Sequence, residues 1–207
     1  MSLKRTISYC IAIAIVSVLL NGCSGKFAEK RELHFPELCE GDVVFRKGGS
    51  VVSRMVLCAD RDGKYSHIGV IVVKDGKCMV VHSVPGEPDF DGDTDRVKLE
   101  TIDSFFSEER ASSGAIMRPR IGGDTLSAVA GKAMELAERK VLFDHNYNLS
   151  DTSKLYCTEL IDFVFRFAGV DLTEGRTTHI NIPGMVGDYL LPSDIYKSSK
   201  LETVFCF

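Results

Sequence analysis

Apolar side chains recur at helical spacing through the stretch that ends at Gly169. At about 3.6 residues per turn, one face carries a continuous apolar row, formed by Cys157, Leu160, Ile161, Val164 and Ala168. The polar positions include Asp162 and Arg166, which follow each other in the order that stabilises a helix. The pattern predicts a buried helix that Gly169 terminates.

Cys157 falls in the first turn of this predicted helix. Unpaired backbone N–H groups and the positive end of the helix dipole favour a thiolate at that position. Free cysteine is also one of the most frequently buried residue types, so a small core residue is the alternative interpretation. Cys157 is therefore a candidate nucleophile whose role depends on a base elsewhere in the chain.

Two runs rich in β-branched residues on either side of an Asp75-Gly76 turn predict a β-hairpin. The runs occupy residues 67–73 and 78–84. Because side chains alternate between the two faces of a strand, pairing across this turn permits His82 to approach His67. His67 is the best candidate base in the chain, and His82 is the natural group to orient it.

The remaining patterns predict short elements around the hairpin. They are strands at 43–45, 97–99 and 115–118 and helices at 50–59, 102–109 and 124–139. A chain of 207 residues with 44% hydrophobic residues is long enough to form one core in one domain.

An acidic loop follows the hairpin. Asp89, Asp91, Asp93 and Glu100 have the spacing of a calcium-binding loop. Thr94 occupies the position where such a loop requires glycine, so we interpret the segment as a solvated surface loop. The chain also has no Cys-x-x-Cys or His-x-x-x-His pair, and we expect neither a metal site nor a cofactor.

The amino-terminal residues have the pattern of an export signal. Lys4 and Arg5 precede an apolar run that is shorter than the roughly 20 residues of a membrane-spanning helix. The run ends in a Leu-Asn-Gly-Cys sequence that resembles the bacterial lipobox, which implies cleavage before Cys23 and attachment of lipid to its sulfur. A soluble secreted protein with a cysteine at this position is the alternative.

These features predict three segments: a lipoprotein signal peptide at 1–22, a tether at 23–37 and one domain at 38–207. The predicted location is the bacterial cell envelope, where the protein is anchored to a membrane by lipid. Ser24 favours onward transport to an outer membrane where the host has one.

The net charge of the chain restricts the classes of binding partner, and its cysteine content bears on disulfide formation. Removal of residues 1–22 takes away Lys4 and Arg5 and no acidic residue, which leaves 23 basic and 29 acidic residues and a formal charge of −6. This balance disfavours nucleic acid as a partner. Five cysteines remain besides Cys23, so in an oxidising compartment four can pair while one stays free.

Five motifs resemble the YiiX/YebB-like permuted papain-fold hydrolases, which are relatives of the NlpC/P60 cell-wall peptidases. They are Gly41-Asp42-Val43-Val44-Phe45, Tyr65-Ser66-His67-Ile68-Gly69-Val70, Phe143-Asp144 with Asn148-Leu149-Ser150-Asp151, Tyr156-Cys157-Thr158-Glu159-Leu160 and Leu191-Pro192-Ser193-Asp194. The most specific mark is that the histidine precedes the cysteine, whereas ordinary papain-like enzymes place the cysteine first. The resemblance implies an α+β, circularly permuted papain-like fold with an antiparallel sheet packed against the helix of the catalytic cysteine.

The resemblance also implies residue roles. Cys157 is the nucleophile, His67 the base and His82 the third polar residue; the YiiX-like branch typically has glutamate at the third position, whereas NlpC/P60 relatives often have histidine. We expect Tyr156 either to contribute to an oxyanion site with the Cys157 backbone N–H or to pack against the start of the helix. We interpret Glu159 as structural.

The expected function is an envelope, lipid-anchored thiol hydrolase that cleaves an amide bond through an acyl-enzyme on Cys157. The expected substrate is a peptide of peptidoglycan or an N-acyl compound. One alternative is a lipid acyltransferase or esterase, since permuted relatives of the lecithin:retinol acyltransferase type share the order of histidine and cysteine. The other is a non-catalytic envelope binding module.

Overall fold

The computed structural model describes residues 31–61 and 63–207. One compact unit within them runs from His34 to Phe207. The predicted signal peptide and the predicted lipidation site, Cys23, lie outside the described residues. Within the described part of the chain, no helix is both long enough and apolar enough to cross a membrane.

An antiparallel sheet forms the centre of the unit. The strands are β1 Val43–Lys47, β2 His67–Lys74, β3 Lys77–Val84, β4 Arg96–Thr101, β5 Ser113–Pro119, β6 Thr178–Ile180, β7 Gly187–Tyr189 and β8 Leu201–Cys206. Six of them form the main sheet in the order β4-β3-β2-β1-β5-β8, and β6 pairs with β7 in a small second sheet. The helices are α1 Val51–Ala59, α2 Ile102–Phe105, α3 Gly123–Glu138, α4 Cys157–Phe167 and α5 Pro192–Tyr196. The expected mixed α+β architecture with an antiparallel sheet is confirmed.

β2 and β3 form a hairpin around Asp75 and Gly76. Both residues have positive φ angles, 52° and 72°, and a two-residue type I′ turn requires that backbone at both central positions. Val70 pairs with Val81, and continuation of this register places Gly69 opposite His82.

The main core lies between one face of the sheet and the long helices α3 and α4. Phe45 and Val70 from the sheet pack with Leu160 and Val164 from α4, and all four are fully buried. The apolar row of the sequence pattern is thus the face that α4 turns toward the core. α4 begins at Cys157, so the packing that fixes α4 against the core also fixes the position of the thiol.

α1 differs from the other long helices because it has no buried residue. Ser50 caps its start, where the side chain accepts a hydrogen bond from the Ser53 N–H at 3.1 Å. Val51 and Met55 remain 64% and 54% exposed. α1 therefore lies on the surface with an apolar side toward solvent.

One helix boundary differs from the sequence-based expectation. α2 ends at Phe105 and is therefore shorter than the expected 102–109 helix. The Ser107 carbonyl accepts hydrogen bonds from the N–H groups of Arg110 and Ala111, which form a separate turn. The compact unit also includes residues 34–37 of the predicted tether, where Phe35 stacks on Phe106 with ring centroids 5.8 Å apart. The end of the expected tether is therefore part of the packed unit.

The cysteines form no disulfide within the described part of the chain. The five cysteines of the described residues are all free, so the pairing of four of them is not observed.

In the acidic loop after β3, Asp89 and Asp93 both bind Arg96, at 2.7 and 2.9 Å. The carboxylates with calcium-loop spacing therefore hold a cation of the chain itself, while Glu100 belongs to β4.

Candidate active site

Cys157 lies at the wall of a cavity of about 120 Å³. His67, the first residue of β2, and Arg46, near the end of β1, line the same cavity. The other walls come from α1, from the loop after β3 and from residues 189–192. The fold thus brings the predicted nucleophile and the predicted base to one cavity, although they are far apart in the sequence.

His67 and His82 are in direct contact. Nε2 of His67 lies 2.8 Å from Nδ1 of His82, and both side chains are buried. Gly69 makes room for this contact, since an added Cβ would lie 3.2 Å from Cβ of His82 and 2.6 Å from Cγ1 of Val80. With its Nε2 in contact with His82, His67 has Nδ1 as its remaining ring nitrogen.

Glu100, which the sequence patterns did not connect to the site, extends the contact by one more residue. Its Oε1 lies 2.9 Å from Nε2 of His82. The contact is not aligned as a linear hydrogen bond, yet neither atom has a hydrogen bond to any other described residue. The other carboxylate oxygen accepts hydrogen bonds from Arg110 at 2.6 Å and from Ser104 at 3.1 Å.

Arg46 is a buried cation beside this row of side chains. It donates to the Phe105 carbonyl at 3.0 Å and its guanidinium lies 4.7 Å from the centre of the Phe105 ring. It also pairs with Glu87 and lies 4.0 Å from Glu100. A buried charge is tolerated when it is paired in this way.

The pKa values follow from burial and from these pairs. Burial lowers the pKa of His67 well below its usual 6.5, and the charge of Arg46 adds to the effect. Burial also lowers the pKa of His82, although Glu100 opposes the shift. Burial favours the protonated form of Glu100, but contacts with His82, Arg110 and Lys98 outweigh it and hold the pKa at about 2. At neutral pH both imidazoles are neutral and Glu100 is a carboxylate.

The Cys157 thiol has a raised pKa. Burial raises it, whereas the side chain and N–H of Thr158 and the N–H of Ile68 lower it. The start of the helix thus stabilises a thiolate as predicted, but burial is the larger effect. The balance favours the protonated thiol in the free protein, and the reactivity of Cys157 stays a prediction.

Tyr156 precedes Cys157 as the N-cap of α4 and also lines the cavity. Its ring packs in a small cluster with Phe143 and Leu190, and its hydroxyl accepts a hydrogen bond from the Leu190 N–H at 3.0 Å. Burial raises the pKa of this hydroxyl, which therefore keeps a proton to donate. Tyr156 packs against the start of the helix, and its oxyanion role stays a prediction.

Glu159 supports the helix start from below. Its Oε2 accepts the Tyr156 N–H at 3.3 Å, while Oε1 has no hydrogen-bond partner among the described residues. Burial raises its pKa to about 8. A carboxyl group that caps the helix from its first turn fits the structural interpretation of this residue.

The fold therefore gathers four predicted site residues, Cys157, His67, His82 and Tyr156, and adds Glu100 and Arg46 to them. A signal for Glu100 existed in the alternation along β4, where Arg96, Lys98 and Glu100 share one face. The register pairs Lys98 with His82, which makes Glu100 the diagonal neighbour of His82 on the same face. Because Glu100 also fits the spacing of a calcium-binding loop, the sequence analysis grouped it with the acidic loop instead of with the polar face of β4.

Within the described residues, no group of three or more His, Cys, Asp or Glu side chains is arranged to hold a metal ion. His67 and His82 direct one ring nitrogen each toward the other, 2.8 Å apart. A metal bound by both nitrogens would have to displace that contact.

Comparison with known proteins relates the chain to one described fold. No protein-family model matches the sequence, and no curated protein matches it either. Among solved structures, the fold is similar to the crystal structure of the metalloprotein YiiX from Escherichia coli O157:H7, with 17% sequence identity and a TM-score of 0.65. The match covers 80% of this chain and 96% of that protein. The chain therefore has a YiiX-like fold.

Proposed function

We propose that the protein is a cysteine hydrolase that cleaves an amide bond through an acyl-enzyme on Cys157. One observation carries the proposal: Cys157 and His67 line the same cavity, and His82 occupies the far nitrogen of His67. A thiol, a base and a group that orients the base are the parts that covalent acyl transfer requires.

The reaction begins from the neutral pair. The thiol proton passes to Nδ1 of His67 as the Cys157 sulfur bonds to the substrate carbonyl carbon, and the carbonyl oxygen becomes an oxyanion. The Cys157 N–H and the Tyr156 hydroxyl are the proposed donors to that oxyanion. Collapse of the oxyanion breaks the C–N bond, and His67 returns the proton to the leaving amine.

Water completes the cycle. His67 takes a proton from the water as its oxygen bonds to the thioester carbon. The C–S bond then breaks, the carboxylic acid product leaves, and the proton on His67 returns to the Cys157 sulfur. The thiol and the neutral imidazole are restored.

The cavity lining suggests the class of substrate. Several apolar side chains line the cavity: Val52 and Val56 from α1, Val84 from the end of β3, Leu190, and Pro192 from the start of α5. Such walls suit an acyl chain or the uncharged part of a peptide. We propose an N-acyl compound or a peptidoglycan peptide as substrate, and the same apolar lining favours lipid acyl transfer or ester hydrolysis as the second candidate.

The proposed setting is the bacterial cell envelope. Lipid on Cys23 would anchor the protein to a membrane, and the outer membrane is the destination that Ser24 favours. Membrane and peptidoglycan are the proposed partners, and nucleic acid is not.

YiiX is described as a metalloprotein, so we tested whether the site here fits a metal. The facing nitrogens of His67 and His82 contact each other, and the described residues contain no cluster able to ligate a metal. The residues do not fit such a group, and the proposed steps use only side chains and water.

The test is turnover of N-acyl amino acids and of peptidoglycan peptides, followed by mass spectrometry. Cys157→Ala should abolish product release, and wild-type protein should show a covalent mass increase equal to the acyl group. Cys58→Ala is the matched control, because Cys58 is exposed on α1 and does not line the cavity. Its activity should equal that of wild type.

Other results would redirect the proposal. An acyl group that appears on an added alcohol or amine would indicate transfer instead of hydrolysis. Full activity in Cys157→Ala would refute the thiol mechanism. Binding of these compounds without any turnover would favour the binding module.

A further inference from the structure

We propose that Glu100 is a positioning residue that selects the tautomers of His82 and His67, so that His67 presents an unprotonated Nδ1 to the Cys157 thiol. The inference deepens the proposed function and rests on it. It starts from the row His67, His82 and Glu100, whose successive contacts are 2.8 and 2.9 Å long.

Glu100 is held so that only one oxygen faces His82. Arg110 and Ser104 occupy Oε2, and Oε1 is left for Nε2 of His82. The Glu100 side chain is only 8% exposed and His82 is fully buried, so water does not replace this contact readily. An ionised carboxylate has no proton to donate and can only accept.

The tautomers follow from that restriction. Because a lone pair on Nε2 of His82 would face the anionic Oε1 of Glu100 at 2.9 Å, the proton of neutral His82 is on Nε2, and Nδ1 of His82 carries the lone pair. Nδ1 can then only accept from His67, so the proton of neutral His67 is on Nε2. The lone pair of His67 is therefore on Nδ1, which is the atom that must receive the thiol proton.

The arrangement also stabilises the protonated base. When His67 gains the thiol proton, its Nε2–H continues to donate to His82, and the nearest carboxylate in the row is Glu100. A neutral His82 by itself stabilises an imidazolium less than a carboxylate does. Glu100 thus supplies, across one more ring, the negative charge that His82 lacks.

Each strand near His82 contributes charged or titratable groups to its surroundings. They are His67 on β2, Arg46 on β1, Lys98 and Glu100 on β4, and Glu87 and Arg110 in the adjoining loops. Arg46 opposes a proton on His82, and Arg46, Lys98 and Arg110 oppose a proton on the neighbouring His67, while Glu100 is the acidic group in contact with the His82 ring. Removal of the Glu100 charge should therefore change both the tautomer and the titration of His82.

The test is nitrogen NMR of the protein labelled with ¹⁵N-histidine, since ring nitrogen shifts distinguish protonated from unprotonated positions. Wild type should show protons on Nε2 of both His67 and His82. A proton on Nδ1 of either ring at neutral pH would overturn the inference without any mutation. This readout does not depend on turnover, so it stands or fails separately from the proposed hydrolase activity.

Glu100→Gln sharpens the test, because the amide can also donate. Donation to Nε2 of His82 reverses both tautomers and places a proton on Nδ1 of His67, so signals of the reversed form should appear and kcat/KM should fall roughly 10- to 100-fold. Glu202→Gln, at an exposed carboxylate that pairs with Arg120, should change neither. Unchanged tautomers in Glu100→Gln would overturn the inference.

Glu100→Asp keeps the charge and can only accept, so it should retain the wild-type tautomers and recover most of the activity. A purely structural role for Glu100 predicts a different result: a lower melting temperature in Glu100→Gln with the wild-type tautomers and pH profile preserved. If Glu100→Gln does not fold, the wild-type and Glu100→Asp spectra decide the question.

Discussion

The two walls of the Cys157 cavity are built in opposite ways. The sheet wall presents His67 to the cavity, and His82 and Glu100 lie buried behind it, each in contact with the next. The opposite wall includes α1, which has no buried residue and exposes Val52 at 41% beside the cavity. One wall is polar and enclosed, and the other is apolar and open.

The difference separates chemistry from access. A proton acceptor must be held in one orientation and one tautomer, which requires burial and successive partners. A surface that meets variable substrate needs apolar area and tolerates movement. We therefore expect changes in the sheet wall to affect kcat and changes in α1 to affect KM.

The largest effect should come from Gly69→Ala, which removes the space between the histidines. The new Cβ would lie 2.6 Å from Cγ1 of Val80, 3.1 Å from the Val81 carbonyl oxygen and 3.2 Å from Cβ of His82, so we expect β3, which carries His82, to shift relative to His67. Kinetics should show a loss of roughly 100-fold in kcat/KM, and denaturant unfolding should show about 1–3 kcal/mol of lost stability from overpacking.

Gly131→Ala is the matched control. Gly131 lies in the interior of α3, and an added Cβ meets nothing within 4 Å. Alanine should raise stability there by about 0.5–1 kcal/mol and leave activity unchanged. If Gly69→Ala kept wild-type activity, the contact between the two histidines would have no part in catalysis.

The pH dependence of alkylation tests whether Cys157 and His67 form a neutral pair. Because burial raises the pKa of Cys157 and lowers that of His67, the alkylation rate with iodoacetamide should rise steadily from about pH 6 to about pH 9 without an acidic plateau. His67→Ala should give the same curve, since a neutral imidazole does not stabilise a resting thiolate.

The activity profile has a definite sign. Protonation of His67 removes the base, and its pKa is well below 6.5, so kcat/KM should remain level through neutral pH and fall only in more acidic solution. A plateau of fast alkylation below neutral pH that disappears in His67→Ala would show instead that Cys157 and His67 rest as an ion pair.

The smallest effect should come from Val52→Ser in α1. Val52 lines the cavity and is partly exposed, so loss of its apolar surface should cost up to about 1 kcal/mol of binding. KM for an N-acyl substrate should rise by up to about 5-fold, while kcat and the pH profile stay unchanged.

The neighbouring valine provides the control. Val51 is 64% exposed and does not line the cavity, so Val51→Ser should leave both KM and kcat unchanged. A fall in kcat for Val52→Ser, with KM unchanged, would show that α1 takes part in the chemistry and that the two walls do not divide the work.

Local patterns were sufficient for the elements that carry the site. The alternation of β-branched residues and the Asp75-Gly76 turn predicted the hairpin, and the apolar row after Cys157 predicted α4. Both depend on neighbours in the sequence: a turn sets the register of its own strands, and a helical face is read from residues three and four apart. The candidates Cys157, His67 and His82 followed from those elements and from the order of histidine and cysteine.

The tertiary structure alone decided the contact of Glu100 with His82 and the direction in which the pKa of Cys157 shifts. Glu100 reaches His82 only because β4 pairs with β3, and which strands pair is set by the packing of the whole sheet. The start of a helix favours a thiolate, but the opposing cost of burial depends on every atom around the sulfur. The sequence therefore determined which groups are available for the candidate site, and the fold determined how those groups are charged and oriented.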